Sequence, residues 1–167
     1  MTGFGIIRLA LLAGIIGLAA CEPANNDNAA GGSSRVRLSA NSTDATIGDY
    51  SIHVNAMLTS DLTADVAQAY GIQRSENQGF VNLVVLKNSP DGGDKLPVSA
   101  RISVSAANLT GQLKSMEMRE IVDGESIYYV GQVSVDDRET INFDFDVQPA
   151  DSQRMLLVRY THQFYTR

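Results

Sequence analysis

Cysteine and histidine are nearly missing from this chain of 167 residues: Cys21 is the single cysteine, and His53 and His162 are the only histidines. One thiol excludes an internal disulfide, and two imidazoles leave little from which to build a metal centre. Basic residues are also scarce, with 13 Lys and Arg against 19 Asp and Glu. A surface for nucleic acid or anionic headgroups needs clustered cations, so neither is expected as a partner. Long apolar runs are absent too. The stretch from Leu9 to Leu18 is weakened by Gly14 and Gly17 and ended by Glu22 and Pro23, well short of the roughly 20 residues that span a bilayer. The signatures of common chemistry are missing as well. Gly124-Glu125-Ser126-Ile127-Tyr128 lacks the last glycine of a nucleophile elbow and sits in a hairpin. Asp91-Gly92-Gly93-Asp94 is acidic where a phosphate cradle must not be. No cofactor, metal or catalytic group is implied, and the chain is expected not to be an enzyme.

What is present begins at the amino terminus. Met1 to Ala20 combines a positive charge at Arg8, a short apolar run and small residues at a cut site, the three parts of an export leader. Its end, Leu18-Ala19-Ala20-Cys21, resembles the lipobox of bacterial lipoproteins. The resemblance implies cleavage between Ala20 and Cys21 and lipidation of the Cys21 thiol, the nucleophile that takes up the lipid. Two or more acyl chains hold a protein stably on a membrane without spanning it. Loss of Arg8 with the leader takes the basic residues from 13 to 12 against 19 acidic ones, a mature charge of about −7. In lipoprotein sorting, aspartate after the cysteine is associated with retention in the inner membrane. Glu22 stands there instead, so the expected place is the periplasm, on the inner leaflet of the outer membrane.

Residues 1–20 are thus expected to be a lipoprotein signal peptide, 21–47 a flexible tether and 48–167 a folded domain. The tether expectation rests on the Ala, Asn, Gly, Ser and Thr content up to Ile47, although Arg35-Val36-Arg37-Leu38 alternates briefly, as an extra edge strand would. From Asp49 the alternation is sustained through Leu58. A short helix follows, with Thr63 as N-cap, Asp65 in the first turn, Gly71 past the last turn, and Leu62, Val66 and Tyr70 as its inward stripe. Phe80 to Leu86 is apolar on both faces, which predicts a central strand. Further strands are predicted over Val98–Ala106, Gln112–Val122, Ser126–Val135, Ile141–Val147 and Met155–Tyr165. Seven strands at hairpin spacing with one short helix predict an all-β, antiparallel, immunoglobulin-like sandwich.

Three constellations have spacing worth weighing. Strand parity puts His53 on a polar face with Ser51 and Asn55, and His162 on an apolar face with Val158, Tyr160 and Phe164, so the two should point to different sides. Asp144 and Asp146 share a face about 6.6 Å apart, but it is the polar face, where a carboxyl stays ionised and solvated. Arg74, Ser75, Asn77 and Asn82 form the most suggestive polar cluster, on the one long irregular connection. They make a possible binding loop, or Arg74 pins the helix to the sheet through backbone carbonyls or a carboxylate.

The segments Ala69-Tyr70-Gly71-Ile72-Gln73-Arg74-Ser75, then Asn77, Gly79, Val81 and Asn82, with Met118-Arg119-Glu120-Ile121, Ile127-Tyr128-Tyr129 and Gln163-Phe164-Tyr165, resemble the domain of unknown function 4426 family, small envelope proteins of Gram-negative bacteria. The resemblance runs from about Asp49 to Tyr165. It implies the fold and the compartment and carries no catalytic residues. The expected role is a non-catalytic interaction or envelope-assembly module, attached to a membrane through its lipid and to an unidentified envelope protein. A small-ligand carrier with a pocket between the sheets is the alternative, and a hydrolase a third reading.

Overall fold

Alternation of apolar and polar residues, sustained strand after strand, closes this chain into two facing sheets. The computed structural model describes residues 34–37 and 42–166. The expected leader, with Ala20, Cys21 and most of the tether, lies outside the described residues. Among the described residues there are eleven strands: β1 Ser34–Arg37, β2 Asp44–Ile47, β3 Tyr50–Leu58, β4 Gln78–Lys87, β5 Leu96–Pro97, β6 Ala100–Asn108, β7 Leu113–Lys114, β8 Arg119–Asp123, β9 Ser126–Ser134, β10 Thr140–Pro149 and β11 Leu156–Gln163. A 3-10 turn, Thr59–Asp61, and one helix, α1 Ala64–Ala69, fill the β3–β4 connection. No described helix is long and apolar enough to cross a membrane.

One sheet has the order β1-β11-β10-β6-β7; the other runs β2-β3-β4-β9-β8, with β5 added beside β4. Taking β3, β4, β6, β8, β9, β10 and β11 as strands A to G, the orders A-B-E-D and G-F-C are those of an immunoglobulin-like sandwich. The inward positions of facing strands fill the space between the sheets. Ile52, Val54, Val81, Leu83, Val85, Ile141, Phe143, Phe145, Val147 and Val158 are all buried there. Phe143 stacks on Phe145 and Tyr160, at centroid distances of 6.1 and 6.3 Å. At one end the sheets are also tied by polar contacts. Tyr50 Oη donates to Asp151 Oδ1 at 2.7 Å, and Lys87 Nζ donates to Asp151 Oδ2 at 2.5 Å.

A second, smaller core lies outside the sandwich, where the β3–β4 connection folds over the outer face of the six-stranded sheet. Leu62, Ala67 and Ile72 cover Phe80 and Val130. α1 is set by its caps, as the sequence predicts. Thr63 Oγ1 accepts from Val66 N at 3.3 Å. Gly71 N donates to Gln68 O and Ile72 N to Ala67 O, the paired bonds of a Schellman turn, with Gly71 at φ +60°. Of the expected inward stripe, Leu62 and Tyr70 pack into this core and Val66 does not. Val66 is exposed and Ala67 is buried, because the Schellman turn folds Ile72 back under the helix and sets the contact one residue later.

Two further expectations are corrected. The strand expected over Gln112–Val122 is two strands in different sheets: β7 pairs with β6, and β8 with β9. The chain changes sheets between them, where Met116 and Met118 both pack onto the main core, so an apparently continuous alternation hides a crossing. The expected tether over 21–47 also gives up residues to the fold. β2 makes a hairpin with β3 across Gly48 and Asp49, Gly48 taking φ +59°, and buries Ala45 and Ile47. β1 pairs parallel with β11 from Ser34↔Leu156 to Arg37↔Arg159, so the brief alternation at Arg35 and Val36 is an edge strand.

Candidate functional site

The β3–β4 connection carries three of the four residues singled out in the sequence, and each is occupied in holding that connection together. Arg74 Nη2 donates to Ser60 O at 2.5 Å. Ser75 N donates to Thr59 Oγ1 at 2.8 Å, while Thr59 Oγ1 and Ser60 N both donate to Ser75 O. Asn77 accepts through its carbonyl from Val135 N at 3.0 Å. Thr59 is wholly buried, so this clasp satisfies backbone groups that would otherwise be stranded. The Arg74 guanidinium fastens one arm of the connection to the other, through the 3-10 turn, and does not join the helix to the sheet.

Asn82 does not join them. It points out of the sheet from β4 and stands directly opposite Asn55 on β3. The next row of the same face holds Asp44, His53 and Val84. These residues, with Thr43 and Val54, line a hollow of about 390 Å³. The His53 ring is bonded through Nδ1 to Asp44 Oδ1, and Thr43 Oγ1 donates to Asp44 Oδ2 at 3.2 Å. Beyond the hollow the same face of the sheet is covered on two sides. On one side is the α1 core, which reaches Val130, the neighbour of Asn82 on β9. On the other is the 88–97 segment, which buries Ser51 through Asn88 and Lys95. Between them Asn82 Oδ1 is a buried acceptor that no donor among the described residues reaches. A buried polar atom without a partner costs about 1 to 3 kcal/mol. The sequence signal for the site was available in the matched parity of His53, Asn55 and Asn82. Chain proximity to Asn77 instead grouped Asn82 with the loop, and the part played by Asp44 depended on a strand taken for tether.

The other polar groups are committed elsewhere. His162 lies on the inward side, away from His53 as parity predicts, with its ring 4.6 Å from Phe164 and Nδ1 3.3 Å from Tyr160 Oη. Burial pushes its pKa down. Asp144 is held by Arg159 across the strand pair, Nε to Oδ1 at 2.6 Å and Nη2 to Oδ2 at 2.7 Å, while Asp146 stays exposed beside it. Tyr129 Oη accepts from Ala100 N and donates to Glu120 Oε2, both at 2.6 Å, and burial with the Glu120 bond pushes it up to about 12. Ser51 and Lys95 lie 3.0 Å apart, as in a serine–lysine pair, but the hydrogens run the wrong way for nucleophilic attack. Lys95 donates to Ser51 Oγ, and Ser51 donates to Asn88 Oδ1 at 2.6 Å. No group of three or more His, Cys, Asp or Glu among the described residues is arranged to hold a metal. A second hollow of about 240 Å³ opens where α1 meets β8 and β9. Ile72, Phe80 and Val130 form its apolar lining, and Glu117, Arg119 and Gln132 its polar one. Its arginine is engaged, since Arg119 Nη2 donates to Tyr70 O.

The family profile of DUF4426, a domain of unknown function, matches residues 44–167 and so begins with β2. Among solved structures, the chain is similar to a DUF4426 family protein from Pseudomonas aeruginosa PAO1, a crystal structure at 2.09 Å resolution. The two are 27% identical with a TM-score of 0.63, over 74% of this chain and 94% of the other. Comparison with curated proteins finds no match.

Proposed function

This chain belongs to the DUF4426 family of domains of unknown function, and from that premise we propose that it is a non-catalytic interaction module of the bacterial envelope, held in the periplasm by a lipid on Cys21. The anchor reading is supported by Leu18-Ala19-Ala20-Cys21, and Glu22 favours the inner leaflet of the outer membrane.

The observation that carries the interaction reading is the open half of the six-stranded sheet. α1 and its connection cover one part of this face; the part with His53, Asn55 and Asn82 is concave and sets these polar groups among Val54 and Val84. The close-packed interior, where Phe143, Phe145, Ile52 and Leu83 are all almost fully buried, supports binding on this outer face over carriage of a ligand between the sheets.

A photo-reactive residue replacing Asn55, introduced into cells making the full chain, tests the reading. It should give one discrete adduct that the same residue at Gln148, on the outer face of the other sheet, does not give. Equal labelling at both positions would overturn the choice of face. A Cys21→Ala chain that still partitions into detergent like the parent would overturn the anchor.

A further inference from the structure

The register of the strands fixes which way the chain enters the sandwich. β1 begins at Ser34, level with Leu156, and Leu156 is paired with Val147 near the end of β10. The start of β3 and the end of β4 meet at Tyr50↔Lys87. The Asp151 contacts with Tyr50 and Lys87 put these points of the two sheets at one end of the molecule. The β8–β9 hairpin, closed at Asp123↔Ser126, and the 88–97 segment leading into β5 lie at that end too. The opposite end holds the α1 connection, the turn after Asn108 and the β9–β10 turn. There Glu139 accepts from Asn108 Nδ2 at 3.0 Å and Lys114 Nζ at 2.8 Å.

Only residues 22–33 separate Cys21 from Ser34. A flexible chain of that length has a root-mean-square span of roughly 20 Å and reaches at most about 40 Å. A nine-residue strand such as β3 is about 30 Å long, so a far-end contact with the bilayer holding Cys21 would stretch the linker close to its limit. Near-end contact costs almost no extension. Both ends expose apolar side chains: Leu96 (65%), Val122 (63%) and Met155 (36%) at the entry end, Val66 (38%), Leu109 (71%), Leu113 (75%) and Tyr165 (61%) at the other. Exposure does not separate the ends, but the point of entry does. The entry end carries both signs of charge: Asp49, Asp91, Asp94, Asp123 and Glu125 are exposed there, and so are Lys87, Lys95, Arg101 and Arg154.

We infer that the sandwich stands on the bilayer of its own anchor with the entry end down: Leu96, Val122 and Met155 rest at a zwitterionic lipid surface, and the β6–β7 hairpin is displayed away from it. The inference rests on the anchor reading above. Leucine, valine and methionine partition into the interface, and the nearly balanced charges around them give anionic headgroups no net pull, which makes zwitterionic lipid the occupant that fits.

The test uses the lipidated full chain in phosphatidylcholine vesicles carrying nitroxide-labelled lipid. An environment-sensitive fluorophore is attached through Leu96→Cys in one sample and Leu109→Cys in another. Both side chains are exposed, so neither change disturbs the core. Emission at the first site should shift to the blue and be quenched several-fold more than at the second. Part replacement of the lipid by phosphatidylglycerol should not strengthen that quenching. Equal or reversed quenching in protein that floats with the vesicles overturns the orientation and leaves the anchor standing. Quenching that anionic lipid strengthens several-fold overturns the zwitterionic reading, and protein that does not float overturns the anchor and the orientation with it.

Discussion

Asn82 holds a side-chain oxygen away from water with no donor to meet it, an arrangement that costs the isolated domain stability. Its neighbours on the outer face, Val84 and Val130, are apolar, so Asn82→Leu removes the stranded acceptor and adds apolar contact. Thermal denaturation should show the variant melting a few degrees higher, for a gain of about 1 kcal/mol, while the adduct at Asn55 disappears. A lower melting temperature would show that Oδ1 is satisfied in the free protein. His162 makes the opposite kind of prediction. Burial lowers its pKa below the ordinary 6.5, so the unfolded chain takes up a proton more readily than the folded one. Its neutral ring leaves stability undiminished above about pH 6.5. Stability then declines as pH falls from there toward the depressed folded value. Melting temperatures measured between pH 7 and pH 5 should fall for the parent and fall less for His162→Leu; parallel profiles would contradict this. The opposite facing of the two histidines was legible because strand parity is rigid. The meeting of His53 with Asp44 was not, because it depends on which strand lies next to β3.

At the scale of elements, local signals held where they were dense. Thr63, Asp65 and Gly71 specify α1 and its Schellman turn between them, and the helix forms where those three residues place it. Alternation misled where the chain changes partner without breaking period, at the β7–β8 crossing. Gly131 on β9 shows what that crossing demands. A Cβ placed there would meet Met116 Cε at 2.6 Å, Glu117 O at 2.8 Å and Met118 Sδ at 2.8 Å. The methionine ends can move, but the Glu117 carbonyl is backbone. Gly131→Ala should therefore push the crossing segment off β9 and cost about 1 to 3 kcal/mol, as overpacking does. A melting temperature within a degree of the parent would mean that the segment yields freely. The hairpin of β2 and β3 left a fainter trace: four residues of alternation joined to β3 by Gly48-Asp49, a two-residue loop of the kind that closes hairpins.

For the whole molecule the question is where the folded unit begins. Composition placed the boundary at residue 48, because the chain before it is rich in Ala, Asn, Gly, Ser and Thr and a four-residue strand carries little periodicity of its own. The structure moves it upstream and makes β2 part of the folded unit, for reasons that concern burial and edges together. Ala45 and Ile47 are 3% and 5% exposed, and fully burying an isoleucine contributes about 1.5 to 3 kcal/mol. Thr43 O accepts from Val54 N at 2.7 Å, and the His53–Asp44 contact lies on the same pair of strands. Without β2, the nine residues of β3 become an open edge with unpaired backbone groups, the arrangement that recruits other chains. A chain of residues 48–167 should consequently melt about 10 °C or more below a chain of residues 42–167. It should also aggregate at concentrations where the longer chain stays monodisperse, and lose the hollow around His53. Calorimetry and light scattering on the two chains decide the matter. Indistinguishable behaviour would make β2 an ornament on a sandwich that is complete without it, and would take Asp44 out of the candidate site.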